Sequence, residues 1–460
     1  MTMRPTLTEG NVARVLIRYS LPFLLSSFIH MAYSTFDVVI LGWFASPASL
    51  SGAGNGSNLV MTLMSIFMGF QSGGMILLGQ HYGAKDDGNS RKALGSTIVL
   101  QTVLSIIGTV FILFIGKLFI KLINVPIDID KKGLIAAEEA WNYMRIYSLG
   151  LILHSGYGVL SSTLRALGDS KTPLIIVAVS CAVNVVLDLI FVGLFQMGAT
   201  GAATTNIIGQ ALSFLLALLI ILRKKLPFGF TAKDIKLDWK MAQKIFKLGT
   251  PISLQTVLNS LSFVVIAAVI NKMGMYASAA NGIVNNLTGI YMIIPFALGS
   301  ALSAISAQNL GAKKTERALQ STKYAVFFSM AIAIPVCVFA CIFPEALVSI
   351  MSPEPDVIKA SAEFLVPFAW DCLLVSVVFC MNGFFNGCGI TVFVAVQETV
   401  VAFAVRIPVS WALSLIPGAT LFHVGIGTPV ATCVALLMNL IYYKLKLSGG
   451  KLAKLEIAKA

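Results

Sequence analysis

The sequence predicts an all-α integral membrane protein, with twelve transmembrane helices in two six-helix bundles related by a pseudo-two-fold axis along the membrane normal. Three observations lead there. Of 460 residues 57% are hydrophobic and only 12% charged, with a mean hydropathy of +0.86, which is far too apolar for a soluble protein of this length. Apolar stretches recur along the whole chain, each near the roughly 20 helical residues that cross about 30 Å of hydrocarbon. Sequence marks from the first half also return in the second at an almost constant displacement.

The spans are expected at 16–42, 54–79, 93–116, 141–163, 173–195, 200–222, 248–271, 282–306, 322–343, 362–385, 391–414 and 422–443. Arg14 and Arg18 lead into the first, and Gln80, Gly83, Ala84 and Lys85 follow the second. Lys117 and Lys121 follow the third, Arg165 and Lys171 the fourth, and Gly198 and Gly201 alone divide the fifth from the sixth. The basic segment 223–247, with Pro227 and Gly229, reads as a cytoplasmic linker between lobes at 1–222 and 248–460. Thr250 and Pro251 open the seventh span as Leu21 and Pro22 open the first, and Gln308, Gly311, Ala312 and Lys313 follow the eighth as their counterparts follow the second. Acidic residues Glu345, Glu354 and Asp356 collect after the ninth. With six spans in each half, the copies start on the same side and form parallel repeats, and two such bundles imply a central cleft worked by alternating access.

Orientation follows from the 33 Lys and Arg residues. Arg4, Arg14, Arg18, Lys85, Arg91, Lys92, Arg165, Lys171, the linker, Lys313, Lys314, Arg317, Lys323 and the tail from Lys444 onward fall on one side. The opposite loops hold Lys117, Lys121, Lys131, Lys132 and Lys359 mixed with Asp128, Asp130, Glu138, Glu139, Glu345, Glu354 and Asp356. The positive-inside rule therefore puts both termini in the cytoplasm of a bacterial-type cell whose plasma membrane holds the protein. Topology and anionic lipid headgroups account for the net charge of +13, so no nucleic-acid partner is expected. The first apolar run is too long for a cleavable signal peptide.

Chemistry-bearing residues are sparse. The seven cysteines have no zinc-type spacing and read as packing residues, and the four histidines are scattered, with His154 inside a span. A Walker A sequence, a GxSxG elbow and an HExxH helix are absent, so the chain brings no nucleotide engine, and no cofactor or catalytic residue is expected.

Two carboxylates stand out. Asp37 lies in the apolar run from Leu16 to Trp43 and Asp188 in the run from Pro173 to Phe195. A mid-helix Asp costs on the order of 3 kcal/mol on insertion scales, so it faces a protein interior and marks an ion or substrate path. Tyr33 and Asn184 precede them by one helical turn, which puts each pair on one face. The second half lacks this acid pair. Val265 and Ile266 match Asp37, and the region matching Asp188 carries Arg406 and Pro408. Its polar span residues are Gln255, Asn259, Asn281, Asn285, Asp371, Glu398 and Arg406, with Asn281 and Asn285 on one face and Asp371 open between a functional and a helix-end role. Met64, Met68, Met75, Phe70, Tyr291, Met292 and Phe296 read as packing or lipid contacts that would also suit an adaptable cavity.

The order and spacing of several motifs resemble the multidrug and toxic compound extrusion (MATE) transporters over essentially the full length. They are Glu9 and Gly10 before Leu21 and Pro22, the stretch Tyr33 to Gly42, QHYGAK at 80–85, GDSKTP at 168–173, NVVLD at 184–188, GAA at 201–203, and the second-half Gly311 to Lys313 and RIP at 406–408. The resemblance implies sodium or proton coupling at Asp37 and Asp188, with Tyr33 and Asn184 in the same cluster and Asn206 where many relatives carry Thr. Oxygen ligands from Asp37, Asn184, Asp188 and Asn206 would suit sodium, whereas two neighbouring acids would equally suit a shared proton. The expected activity is an ion-coupled antiporter exporting amphipathic or cationic organic compounds, with the bilayer as surroundings and no obligatory protein partner. The alternatives are a flippase for lipid-linked saccharides, which needs a strongly cationic cavity, and a membrane-embedded enzyme, which needs a nucleophile with its base or a metal cluster.

Overall fold

The structure is a computed structural model and describes residues 7–127 and 135–447. Arg4, Asp128, Asp130, Lys131, Lys132 and the tail lysines Lys451, Lys454 and Lys459 lie outside the described residues. Described residues are overwhelmingly helical, as α1 (Val12–Phe44), α2 (Pro47–Gly83), α3 (Asp87–Leu122), α4 (Ala136–Leu149), α5 (Leu151–Ala166), α6 (Lys171–Asp188), α7 (Gly198–Lys224) and α8 (Trp239–Asn271). The chain continues with α9 (Met275–Gly311), α10 (Thr315–Ile342), α11 (Pro344–Ser349), α12 (Pro355–Gly387), α13 (Thr391–Val400), α14 (Ile407–Ser414), α15 (Leu421–Gly425) and α16 (Gly427–Tyr442). Wider π-helical turns extend α6 over Leu189–Leu194, join α13 to α14 over Val401–Arg406 and extend α16 over Tyr443–Leu447.

Eleven helices or continuous helical runs among the described residues are long and apolar enough to cross a membrane. The remaining predicted span, 141–163, is two shorter helices, α4 and α5, meeting at Gly150. A Cβ at Gly150 would lie 2.6 Å from Ile207 Cγ1, so the close approach to α7 at this junction requires glycine. Most helices run several residues past the apolar stretches, because polar residues at a span end continue the backbone hydrogen bonding that hydrocarbon demands. The division at Gly198 holds: φ of +54° lets the chain turn from α6 into α7, a conformation that side chains with a Cβ resist.

Close packing separates two compact units, residues Leu21–Ser253 and residues Leu7–Ser20 with the chain from Leu254 onward. In the first unit α2 packs on α3, α4 and α5, and α6 on α7, around Phe67, Ile112, Met144, Leu151, Val192 and Ala203. In the second, α9 packs along α12, where a Cβ at Gly383 would fall 2.1 Å from the Gly299 carbonyl oxygen. Lipid tails are as apolar as leucine, so such backbone contacts, rather than area removed from water, hold helices together in a bilayer. Trp43, Phe114, Val264 and Leu437 are among the large apolar side chains that stay exposed.

Helix ends are fixed by local chemistry. Asp86 caps α3, accepting from Asn89 N at 3.0 Å and Asn89 Nδ2 at 2.7 Å, and the backbone bond from Asn89 holds its carboxyl below the usual range. Within the second unit, Arg317 donates to the Gly10 and Glu9 carbonyl oxygens at 2.6 and 2.7 Å, and Lys314 Nζ to Thr8 O at 2.9 Å, which pins the segment before α1.

Glu139 departs from the sequence reading as an outer-loop acid. It is buried, and its Oε2 accepts from Ser49 Oγ at 2.8 Å and from Ala199 N at 3.1 Å, so it anchors the start of α7 to α2 and α4. A carboxylate at a helix N-terminus satisfies a free N–H and meets the positive end of the helix dipole.

Candidate functional site

In the first unit α1, α6 and α7 bring the predicted acids together. The Asp37 and Asp188 carboxyls lie within hydrogen-bonding reach of one another. Asp188 is the last α-helical residue before the π turn Leu189–Leu194, and such turns recur at functional positions because they re-aim side chains. Asp188 and Asn184 are each 1% exposed.

Neighbouring residues of α7 hold the two acids. Thr205 Oγ1 donates to Asp188 Oδ1, and Asn206 Nδ2 donates to Asp37 Oδ2 at 3.2 Å. Asn206 thus turns its amide nitrogen, rather than its oxygen, toward Asp37. The same nitrogen donates to Ala202 O at 2.9 Å. Asp37 Oδ1, Asp188 Oδ2 and both polar atoms of the Asn184 amide are buried without hydrogen-bond partners. Buried oxygens without donors are costly in a protein interior, so three of them on two carboxyls and an amide form a set that a cation or a shared proton would complete.

Tyr33 is half-buried and lies in electrostatic range of Asp37, Asp188, Tyr143 and Tyr147. The two α4 tyrosines stack with ring centroids 5.8 Å apart. Sequence reasoning missed Thr205, Tyr143 and Tyr147. Thr205 stands beside Asn206 in a stretch already singled out, whereas α4 offers no charge or motif to mark its tyrosines. Further along the unit, His154 comes within hydrogen-bonding reach of Gln210 and near His30, while the Arg165 guanidinium lies 4.2 Å from the Phe23 ring centroid.

The second unit builds a different polar centre. Arg406, 7% exposed at the end of the π turn Val401–Arg406, donates from Nη1 to Asn259 Oδ1 at 2.7 Å and to Ser262 Oγ at 3.0 Å. Its guanidinium lies 4.7 Å from the Phe263 ring centroid. Glu398 and Asp371 both lie in electrostatic range of it, and among the described residues neither makes a direct ion pair with it. Glu398 accepts from Asn382 Nδ2 at 2.8 Å, and Asn382 accepts from Asn439 Nδ2 at 2.8 Å.

Asp371 is 2% exposed, sits well inside α12 and reaches Thr432, so the helix-end reading is corrected. Asn285 Nδ2 donates to Asn281 Oδ1 at 3.2 Å on an exposed face of α9, where each amide serves the other. Gln255 Oε1 is buried without a partner. Met64, Phe70, Met75 and Tyr291 are buried packing residues, and the Tyr291 hydroxyl bonds Ser376 and the Cys372 carbonyl. Met68 and Phe296 are exposed.

The sequence model of the MatE family matches residues 22–190 and 251–412, one match in each half. The chain belongs to the MatE family. It is 28% identical over 440 residues to a probable multidrug resistance protein, YpnP, of Bacillus subtilis, covering 95% of this chain and 96% of that one. It is 24% identical over 464 residues to the multidrug export protein MepA of Staphylococcus haemolyticus, covering 98% of each. An FAD transporter of Shewanella oneidensis is 27% identical over 401 residues, covering 82% of this chain and 83% of that one. A crystal structure of MATE in complex with MaL6 shares the fold with a TM-score of 0.88 at 17% identity, covering 99% of each chain. This MatE protein is therefore a multi-pass membrane transporter of small molecules, not an enzyme.

Proposed function

We propose that the protein is a sodium- or proton-coupled antiporter that exports amphipathic or cationic organic compounds across the bacterial plasma membrane, with both termini cytoplasmic and access alternating between its two lobes. The observation that carries the coupling reading is the pair of acids in the first unit, within reach of each other and, among the described residues, in ion pair with no basic side chain. Two carboxyls that close share a proton or enclose a cation, since bare charges repel strongly in a poorly solvated interior. Asp37 Oδ1, Asp188 Oδ2 and Asn184 Oδ1 provide the hard oxygen donors that sodium prefers. Loading that site favours one conformation of the lobe, and a substrate that binds another conformation better is released by the difference in affinity.

The names of YpnP and MepA support organic-compound export. The flippase alternative needs a cluster of cations for pyrophosphate, whereas the buried Arg406 sits among carboxylates.

Reconstituted vesicles loaded with ethidium and given a sodium or a proton gradient separately test the reading. One gradient is expected to drive efflux by the wild type, and neither by Asp37→Asn or Asp188→Asn. Undiminished gradient-driven efflux in both variants would refute coupling at this site.

A further inference from the structure

In the first unit no basic side chain among the described residues makes an ion pair with Asp37 or Asp188, whereas in the second Asp371 and Glu398 lie in electrostatic range of the Arg406 guanidinium. Several independent observations show that Arg406 is seated rather than merely buried. Its Nη1 meets two oxygens from α8, Asn259 Oδ1 and Ser262 Oγ, and its flat face covers Phe263. Neutral acceptors plus an aromatic face make a receptor for a delocalised cation. Asp371 of α12 and Glu398 of α13 lie in electrostatic range of Arg406, with Glu398 held by Asn382 and Asp371 near Thr432. The seat is also incompletely filled. Arg406 Nε and Asp371 Oδ1 are both buried without hydrogen-bond partners. A guanidinium that completed its fork on a carboxylate would satisfy both kinds of atom, so the arrangement is that of a cation site occupied loosely by a side chain.

We propose that the second unit contains a monovalent-cation site whose permanent occupant is the tethered Arg406 guanidinium, so that removing this side chain opens a site for a free guanidinium-class or alkali cation. The tether fixes the charge of the second unit in every conformation. A mobile ion there would be exchanged during the cycle; Arg406 cannot be. Its presence restricts ion exchange to whatever other site the protein has, and Arg406 is thereby a residue that sets coupling stoichiometry without itself carrying a transported ion. The proposal stands on the second unit alone and does not use the coupling role of Asp37 and Asp188.

The test is cation-dependent thermal stability of the full-length purified protein, measured with methylguanidinium and with sodium at millimolar concentrations and constant ionic strength. Arg406→Ala is expected to melt lower than wild type and to regain stability with a saturable dependence on one of these cations. All these variants are compared in an Asp37→Asn/Asp188→Asn background, which removes the first-unit acids, and there the chain that keeps Arg406 and the Arg406→Lys variant are expected to show no saturable response. Adding Asp371→Asn to Arg406→Ala should weaken the response at least tenfold in half-saturating concentration. Should Arg406→Ala fail to accumulate, Arg406→Ala/Glu398→Gln, which retains one carboxylate, carries the same measurement. A folded Arg406→Ala with no saturable cation response, or one unaffected by Asp371→Asn, overturns the proposal. So does failure of both variants to accumulate even when cells or extracts are supplemented with methylguanidinium.

Discussion

The two units solve the same problem in opposite ways. Each brings two carboxyls near one another within apolar helices, Asp37 with Asp188 and Asp371 with Glu398. The second unit offsets that charge with Arg406, held on Asn259 and Ser262. Among the described residues the donors to the first pair are neutral, Thr205 and Asn206, and carboxyl oxygens are left without partners. A buried acid with a covalently attached counter-ion is static, whereas one without must take its counter-ion from solution. On the proposed reading, the difference separates a part of the molecule that exchanges an ion from a part that only carries charge.

The strongest way to break the comparison is to remove an acid from the first unit. Asp37→Asn or Asp188→Asn is expected to bring gradient-driven ethidium efflux to the level of empty vesicles while membrane insertion is retained, as read by size-exclusion profile and vesicle content. A complementary change gives the first unit the fixed cation it lacks. Asn184→Lys places an ammonium one turn before Asp188, and efflux should lose its dependence on either gradient even where the protein remains folded.

Next in size is the anchor of α7. Glu139→Ala leaves Ala199 N and Ser49 Oγ without their acceptor and frees the helix that carries Thr205 and Asn206. Half-saturation by the coupling ion should weaken about tenfold, equivalent to about 1.4 kcal/mol. Glu139→Gln should stay near wild type, because both donors meet one oxygen that an amide also supplies.

Smaller still is Tyr33→Phe, which removes one hydroxyl near the acids and no charge. About a two- to threefold fall in efflux rate is expected, on the scale of a net hydrogen bond of about 0.5 kcal/mol.

The smallest effect belongs to a helix cap remote from both centres. Asp86→Ala should lower stability by about 1 kcal/mol without altering ion dependence. The folded-state carboxyl of Asp86 sits below the usual range, held there by the Asn89 N–H, so its contribution is present above the unfolded value near 4 and is lost as pH falls through the folded value. Thermal melts of wild type and Asp86→Ala should therefore converge at acid pH.

Much of the fold was legible because hydrocarbon imposes a length on every span and leaves few polar residues to interpret. The break at Gly150 was not, since a lone glycine inside the run 141–163 does not mark where one helix ends and the next begins. Asp37, Asn184 and Asp188 were legible as polar residues in apolar runs. Thr205 was not, because a threonine satisfies its own hydroxyl on a helix backbone and so costs little anywhere in a span. Glu139 misled for a related reason: a glutamate near a span end looks solvated until the helix terminus it serves is known. Glu398 and Arg406, two helical turns apart, each pair with another helix, Glu398 with Asn382 of α12 and Arg406 with Asn259 and Ser262 of α8.

The central claim is that the first-unit acids exchange their ion for cargo. Ion release on cargo binding measures it most directly, using purified protein in weak buffer titrated with tetraphenylphosphonium while a pH indicator and a sodium electrode record the solution. The wild type should release protons or sodium in proportion to the organic cation bound, and Asp188→Asn should bind with no release. Equal release from the wild type and from Asp188→Asn would contradict the account.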